Sequence, residues 1–407
     1  MSIAKAERSW GRFVYTHAMH DPSVHARHAA QPSRALRFDR LEWAGAFGDL
    51  GTLIPFVVAY ISVANVDPLG MVFTFGVCML ASGLYYRTPF PVQPMKAIGA
   101  AAATQTQLGI SAATLSAAGL ITGVIWLVLG LSGAARRAGR LLDRPVAVGI
   151  VLGLGIGFML EGTRLMATTW LLSAVALLTA LLLIQSRRFP VMFLLLAGGV
   201  SYQLAFTPDL LDQLSVMQPH FQVPTLAWTQ IGWNDLWVAA IVLSLPQVPL
   251  TLGNAVIAIT EENNRLFPDH KVDEKKVSVS TGLMNLFSSV LGGVPMCHGA
   301  GGMAGHVRFG ARTGGAPVIL GVLLILLALF FSGSIAALLA IFPHAILGVI
   351  LFLTGAQLAL GSCDFGKSKD DRFASIVTAA LAIYNVGIAF IAGMAVCWLL
   401  KRELIKL

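Results

Sequence analysis

Apolar runs of about 17 to 25 residues follow one another along nearly the whole of this 407-residue chain. A run of that length crosses a hydrocarbon core of about 30 Å as one helix, and in lipid only helices and closed barrels keep their backbone groups hydrogen-bonded. The pattern predicts an all-α polytopic membrane protein. Its charge content agrees, at 12% of residues against about 25% in a soluble domain. Fourteen spans are expected, at 42–64, 68–86, 91–108, 114–133, 145–162, 166–185, 189–206, 236–260, 276–292, 296–311, 315–332, 335–360, 372–384 and 386–400. The stretches that begin at Pro91 and Met296 are too short and too rich in glycine and proline to be plain spanning helices.

Positive charge in short loops collects on the cytoplasmic side. With a cytoplasmic N-terminus, all but two of the 28 Lys and Arg fall on inside segments, the exceptions being Lys96 and Arg164. The long connection 207–235 holds no Lys or Arg, only Asp209, Asp212 and Asp235, and is expected outside. Both termini are then cytoplasmic, and the formal net charge of +8 is a signal of topology. The basic residues are dispersed over short loops, which gives no nucleic-acid partner. The N-terminal tail lacks the apolar centre of a signal peptide. Cys78, Cys297, Cys363 and Cys397 are scattered, so neither a disulfide framework nor a zinc site is read.

The chain also repeats itself. GDLGTLIPFVVA around Thr52 pairs with VPLTLGNAVIAI around Thr251, FPVQPMKAIGA with GVPMCHGAGG, and RPVAVGIVLGLG with FPHAILGVILFLTG, all at nearly one spacing. Seven spans per half is an odd number, so the second half enters the membrane from the opposite side. The resulting division is a tail at 1–40, a first repeat at 41–206, an external linker at 207–235 and an inverted second repeat at 236–407. Inverted repeats with helices broken at matching points are a signature of secondary transporters, with the substrate held where the breaks meet.

Pro89, Pro91 and Pro94 in one half, and Gly292, Gly293 and Pro295 in the other, break helical bonding at membrane depth. Short strands followed by half-helices are expected, starting near Pro94 to Lys96 and near His298 to Gly301. A helix N-terminus offers unpaired N–H groups and about half a positive charge, so two of them facing one cavity favour an anion. Lys96 adds a full charge, Gln93 and His298 add side-chain donors, and the glycines near 300 let an oxyanion come close to the backbone. Gly301 to Gly305 serve close helix packing equally well. Thr251 and Asn254 are expected as uncharged polar lining. Asp49 is assigned to coupling, either carrying a proton or neutralising Lys96 between anions. Glu42 and Glu261 are expected at solvated membrane edges, Glu161 in an external loop, and His306, Arg308 and Arg312 at the cytoplasmic end of the second half-helix.

GDLGTLIPFVVA, PFPVQPMKAIGA, TLGNAVIA with the later FPDHKV, and NLFSSVLGGVPMCHGAGGMAGHVRFGARTGG resemble the molybdate-transporter branch of the sulfate permease superfamily, over about residues 42 to 360. The resemblance implies spans 1–4 and 8–11 as a core and 5–7 and 12–14 as a gate. It implies a ligand between spans three and ten, here Gln93, Pro94, Met95 and Lys96 facing Cys297, His298, Gly299 and Ala300. It also implies high-affinity uptake of molybdate, with sulfate as a related substrate. The expected function is thus import of a tetrahedral oxyanion by alternating access, without cofactor or resident metal. Expected partners are the oxyanion, protons, the lipid bilayer and, as an option, a second copy in a homodimer, and the expected location is a bacterial inner membrane. A nucleobase:proton symporter of the same architecture is the alternative, although Asn254 and His298 stand where it would need acids. A membrane enzyme fits poorly, because HExxH, GxSxG and P-loop motifs are absent.

Overall fold

The computed structural model describes residues 35–62, 64–104, 109–135, 143–183, 191–207, 210, 218–227, 230–335, 338, 341–361 and 368–405. The N-terminal tail to residue 34 therefore lies outside the described residues, as does Cys363, and so do the side chains of Asp49, Thr52 and Arg308. All that follows belongs to the unit that begins at Arg37.

The fold is helical. The elements run α1 (Arg40–Ala46), a 3-10 turn (Phe47–Asp49), α2 (Leu50–Ser62), α3 (Pro68–Tyr86), β1 (Gln93–Pro94), α4 (Lys96–Thr104), α5 (Ala112–Leu131), α6 (Arg144–Met166), α7 (Trp170–Leu183) and α8 (Val191–Phe206). The second half runs α9 (Trp233–Val238), a π-helical turn (Ala239–Ser244), α10 (Leu245–Leu250), a second π-helical stretch (Thr251–Ala258), α11 (Ile259–Leu266), α12 (Glu274–Val290), β2 (Met296–Cys297), α13 (Ala300–Arg308), α14 (Gly315–Phe331), α15 (His344–Gly361), α16 (Lys369–Ala382) and α17 (Val386–Lys401). Five helical runs among the described residues are long and apolar enough to cross a membrane: Pro68–Tyr86, Ala112–Leu131, Arg144–Leu183, Trp233–Leu266 and Gly315–Ser334.

Local chemistry explains several boundaries. Asp67 accepts from the Leu69 N–H at 3.1 Å and Pro68 opens α3, since a missing N–H costs nothing in a first helical turn. Ser111 and Thr114 form a reciprocal capping box on α5. Pro343 ends any continuous helix from 335, so α15 starts only at His344. The expected span 335–360 is shortened accordingly. Conversely α6 continues past 162 to Met166, which puts Glu161 inside the helix, paired with Arg164 at 3.0 Å, and not in a loop.

Three antiparallel helix pairs form the packing, and glycine sets how close they come. On α6 and α15, Gly155 lies against Gly355 and Gly162 against Gly348; a Cβ on Gly162 would stand 2.7 Å from the Gly348 carbonyl oxygen. On α3 and the start of α14, Gly76 lies against Gly321 and Gly83 against Gly314. Gly123 and Gly130 of α5 face Leu286 and Val279 of α12. Seven-residue glycine spacing keeps one face of α3, α5, α6, α15 and the start of α14 bare, which is how helices approach in lipid, where apolar side chains gain nothing by leaving the solvent.

Candidate functional site

The two proline-broken stretches meet. β1 and β2 pair antiparallel, Gln93 opposite Cys297 and Pro94 opposite Met296, and the Met95 N–H donates to the Pro295 carbonyl at 2.9 Å. Prolines deny each stretch its own helical bonding, so each satisfies the other. Because the strands run in opposite directions, α4 and α13 leave the crossing on opposite sides and their N-termini stay together at it. Each of these helices is nine residues long, starting at Lys96 and at Ala300.

Neighbouring helices hold the remaining backbone groups. Asn285 on α12 mimics a strand, its amide donating to the Met296 carbonyl at 2.6 Å and its oxygen accepting from the Met296 N–H at 2.9 Å. The Ser288 hydroxyl donates to the Val294 carbonyl at 3.0 Å, and that of Ser82 on α3 to the Phe90 carbonyl at 2.8 Å. These polar side chains stand in for water.

His298 is part of the same scaffold. It is 2% exposed, and its Nδ1 lies 2.8 Å from the Pro91 carbonyl, which only accepts. The proton therefore sits on Nδ1, and Nε2 accepts from the Ser280 hydroxyl at 2.8 Å. Ser280 in turn pairs with the Tyr86 hydroxyl at 2.5 Å. The imidazole stands edge-on to Tyr86 and Phe90, which stack on each other. Both nitrogens are thus committed, and His298 pins the two broken stretches together in this conformation.

On the other side of the crossing runs the helix broken by π turns, geometry that often marks functional sites. Gln247 was not singled out from the sequence, yet it is 1% exposed and joins this helix to α4. Its oxygen accepts from the Ala97 N–H at 2.8 Å, and its amide donates to Thr251 Oγ1 at 2.7 Å. Thr251 is likewise buried, 1% exposed, and spent on that bond. Asn254 is half-buried; its amide nitrogen lies 3.6 Å from where a Cβ on Gly299 would stand, and Gln93 Oε1 meets the same point. Only glycine at 299 allows this meeting of Gln93, Asn254 and the α13 N-terminus. Met95 and Cys297 are buried beside it, Ala300 is half-buried, and Gly301 is exposed with open space before it.

Lys96 is the first residue of α4 and half-buried. Among the described residues no carboxylate lies within ion-pair distance of it. A cation in a first helical turn opposes the helix dipole, so the crossing gathers positive charge from three sources. The pairing of Lys96 with Asp49 lies outside the described residues; Asp49 itself ends the 3-10 turn that interrupts the first span.

Two expectations about flanking residues are corrected. Glu42 is not solvated but 1% exposed, its carboxylate accepting from the N–H groups of Arg312 and Thr313 at 2.9 Å and Ala316 at 3.0 Å. It is an anion at the N-terminus of α14. His306 does stand in the last turn of α13, but it faces the protein interior and not solvent, 0% exposed and bonded to the Gly45 carbonyl at 2.7 Å. Arg312 does close α13, its guanidinium donating to the Val307 and Ala311 carbonyls. Two surface clefts lie away from the crossing, one of about 360 Å³ around Asp143, Asp371 and Lys401, the other of about 510 Å³ around Asn65, Ser111 and Gln230.

Comparison with known proteins follows this geometry. The family model described as a molybdate transporter of the MFS superfamily matches residues 41–158 and 239–358. Molybdate transporter 2 of Arabidopsis thaliana is 31% identical over 88% of this chain and 87% of its own. Molybdate transporter 1 of Chlamydomonas reinhardtii is 27% identical over 87% of this chain and 90% of its own. Among solved structures, the transmembrane domain of a cyanobacterium bicarbonate transporter, BicA, superposes with a TM-score of 0.62 at 15% identity, over 88% of this chain and 98% of that one. The murine solute carrier 26 family member A9 anion transporter, in its inward-facing state, gives 0.64 at 12% identity, over 95% of this chain and 75% of that one. The last two likenesses concern the fold. The family model and the curated relatives are transporters, which supports an integral membrane transporter and not an enzyme. The chain belongs to the molybdate transporter family.

Proposed function

We propose that this protein is a secondary active transporter that imports a tetrahedral oxyanion, molybdate before sulfate, across a bacterial inner membrane, with both termini cytoplasmic. The anion sits between the N-termini of α4 and α13, held by their free N–H groups and by Lys96, with Gln93 and Asn254 at its edge. One observation carries this reading: paired strands bring together two half-helix N-termini and a half-buried lysine that has no ion-pair partner among the described residues. Such a site attracts negative charge and has no described carboxylate of its own to neutralise it.

The helix pairing supports an arrangement of fourteen spans in two inverted sevens. A two-fold axis in the membrane plane exchanges α3 with α12 and α5 with α14, turning the pair α3 and α14 into the pair α12 and α5, and it maps α6 onto α15 and β1 onto β2. These are the antiparallel contacts found. The spans around the crossing then form a core that moves against a gate built on α6 and α15, exposing the anion to each side in turn. Asp49 is the proposed coupling acid, and protons the coupling ion.

The decisive measurement is a binding titration of purified protein with molybdate, tungstate and sulfate. The parent protein is expected to bind molybdate and tungstate most tightly, and Lys96→Ala to weaken all three by at least tenfold. Unchanged binding in that variant would remove Lys96 from the site.

A further inference from the structure

His306 is a buried titratable group that the anion site does not use. It is 0% exposed, its Nδ1 donates to the Gly45 carbonyl at 2.7 Å, and its Nε2 has no hydrogen-bond partner among the described residues. A buried bare acceptor is costly, and such groups in native folds call for an explanation. An asparagine could supply the bond to Gly45 alone, so that bond does not require an imidazole. The second nitrogen does.

We propose that His306 is a proton-binding positioning residue for transport: it takes up a proton at Nε2 as the anion binds and releases it with the anion. The inference rests on the anion-site reading above. His306 lies in the last turn of α13, six residues from its first, or about 9 Å along the axis at about 1.5 Å per residue. A positive charge there suits the C-terminal end of the helix and adds to the potential that the dianion meets at the other end. The step is a transfer from water. An N–H bond forms at Nε2, hydronium becomes water, and the ring gains one positive charge.

The new N–H has no acceptor among the described residues as α13 now sits. Protonation therefore favours a conformation in which α13 has shifted against α1, whose Gly45 carbonyl holds the ring, and in which water or an acceptor reaches Nε2. The charged and titratable groups on elements packed against α13 are Arg40 and Glu42 on α1, Asp49 on the 3-10 turn, and Glu261, Glu262 and Arg265 on α11. Arg308 shares the helix and Arg312 follows it. Glu42 is committed to three backbone N–H groups, and Glu262 is paired with Arg265 at 2.7 Å. The π-helical stretch beside α13, Thr251–Ala258, carries no titratable group.

The test is calorimetric titration with molybdate in two buffers of different ionisation enthalpy, which counts protons taken up per anion. Uptake into proteoliposomes with and without an acidic outside accompanies it. The parent is expected to take up protons on binding and to transport several-fold faster under the gradient. His306→Asn keeps a donor for Gly45 and should still bind molybdate, several-fold more weakly than the parent at fixed pH because the linked proton no longer adds to binding, and should take up fewer protons per anion and respond less to the gradient, Asp49 carrying what remains. A variant with the parent's proton count and gradient response overturns the proposal. Should His306→Asn fail to fold, the parent decides: binding with no proton uptake overturns the role of His306 and leaves the anion site standing. A parent that binds none of the three anions instead overturns the site reading itself.

Discussion

Glu42 and Gln247 show what a single polar side chain does inside this protein. Each satisfies backbone donors that belong to another segment: Glu42 reaches Arg312, 270 residues away, and Gln247 reaches Ala97, 150 residues away. Removing such an acceptor strands its donors without water, which costs about 1–3 kcal/mol per buried group. Glu42→Ala is therefore expected to lower stability by at least one such increment, read as an earlier thermal transition of the detergent-solubilised protein. A transition unchanged from the parent would mean that water replaces the carboxylate. Neither role was legible from sequence, because an isolated glutamate near a span edge is more often solvated and nothing local marks its distant partners. The breaks at Pro91, Pro94 and Pro295 were legible, because proline acts on its own backbone.

At the scale of elements, glycine spacing governs which helices touch. A methyl group on Gly162 would meet the Gly348 carbonyl oxygen and the Phe352 amide nitrogen, each at 2.7 Å. Gly162→Ala is expected to cost about 1–3 kcal/mol through forced separation of α6 and α15. Gly157, on the same helix with nothing within 4 Å of such a methyl group, serves as the control. There alanine should be neutral or stabilising by about 0.4–1 kcal/mol. Equal melting temperatures for the two variants would contradict the close-packed contact. Some helix boundaries followed from apolar length to within a few residues, those of α3, α14 and α17 among them, but the start of α15 at His344 did not, nor did the π-helical turns at Ala239–Ser244 and Thr251–Ala258. They arise from how a helix with Pro246 and Pro249 accommodates its neighbours, and apolar periodicity does not record it.

For the whole molecule, the proposed inverted duplication ties the proposed anion site to topology: an even number of spans and opposite entry of the two halves would bring the breaks face to face at one depth. In a cysteine-free background, a cysteine replacing His220, exposed in the linker, is expected to react with an impermeant maleimide only from outside. One replacing Lys275, exposed in the first turn of α12, should react only from inside. Labelling of both from one side would rule out the arrangement of fourteen spans.

The sequence alone determined that this chain is an integral membrane protein and that two stretches cannot stay helical, since apolar length and proline each act locally. Which partners those broken stretches take was decided only by tertiary structure. His298, read as a donor to the anion, spends both nitrogens on Ser280 and Pro91, while His306, expected at the cytoplasmic end of the half-helix, is buried with one nitrogen bare among the described residues. The hydrogen bonds of a side chain in a medium without water depend on whatever the fold brings within 3 Å, and no local pattern encodes that distance.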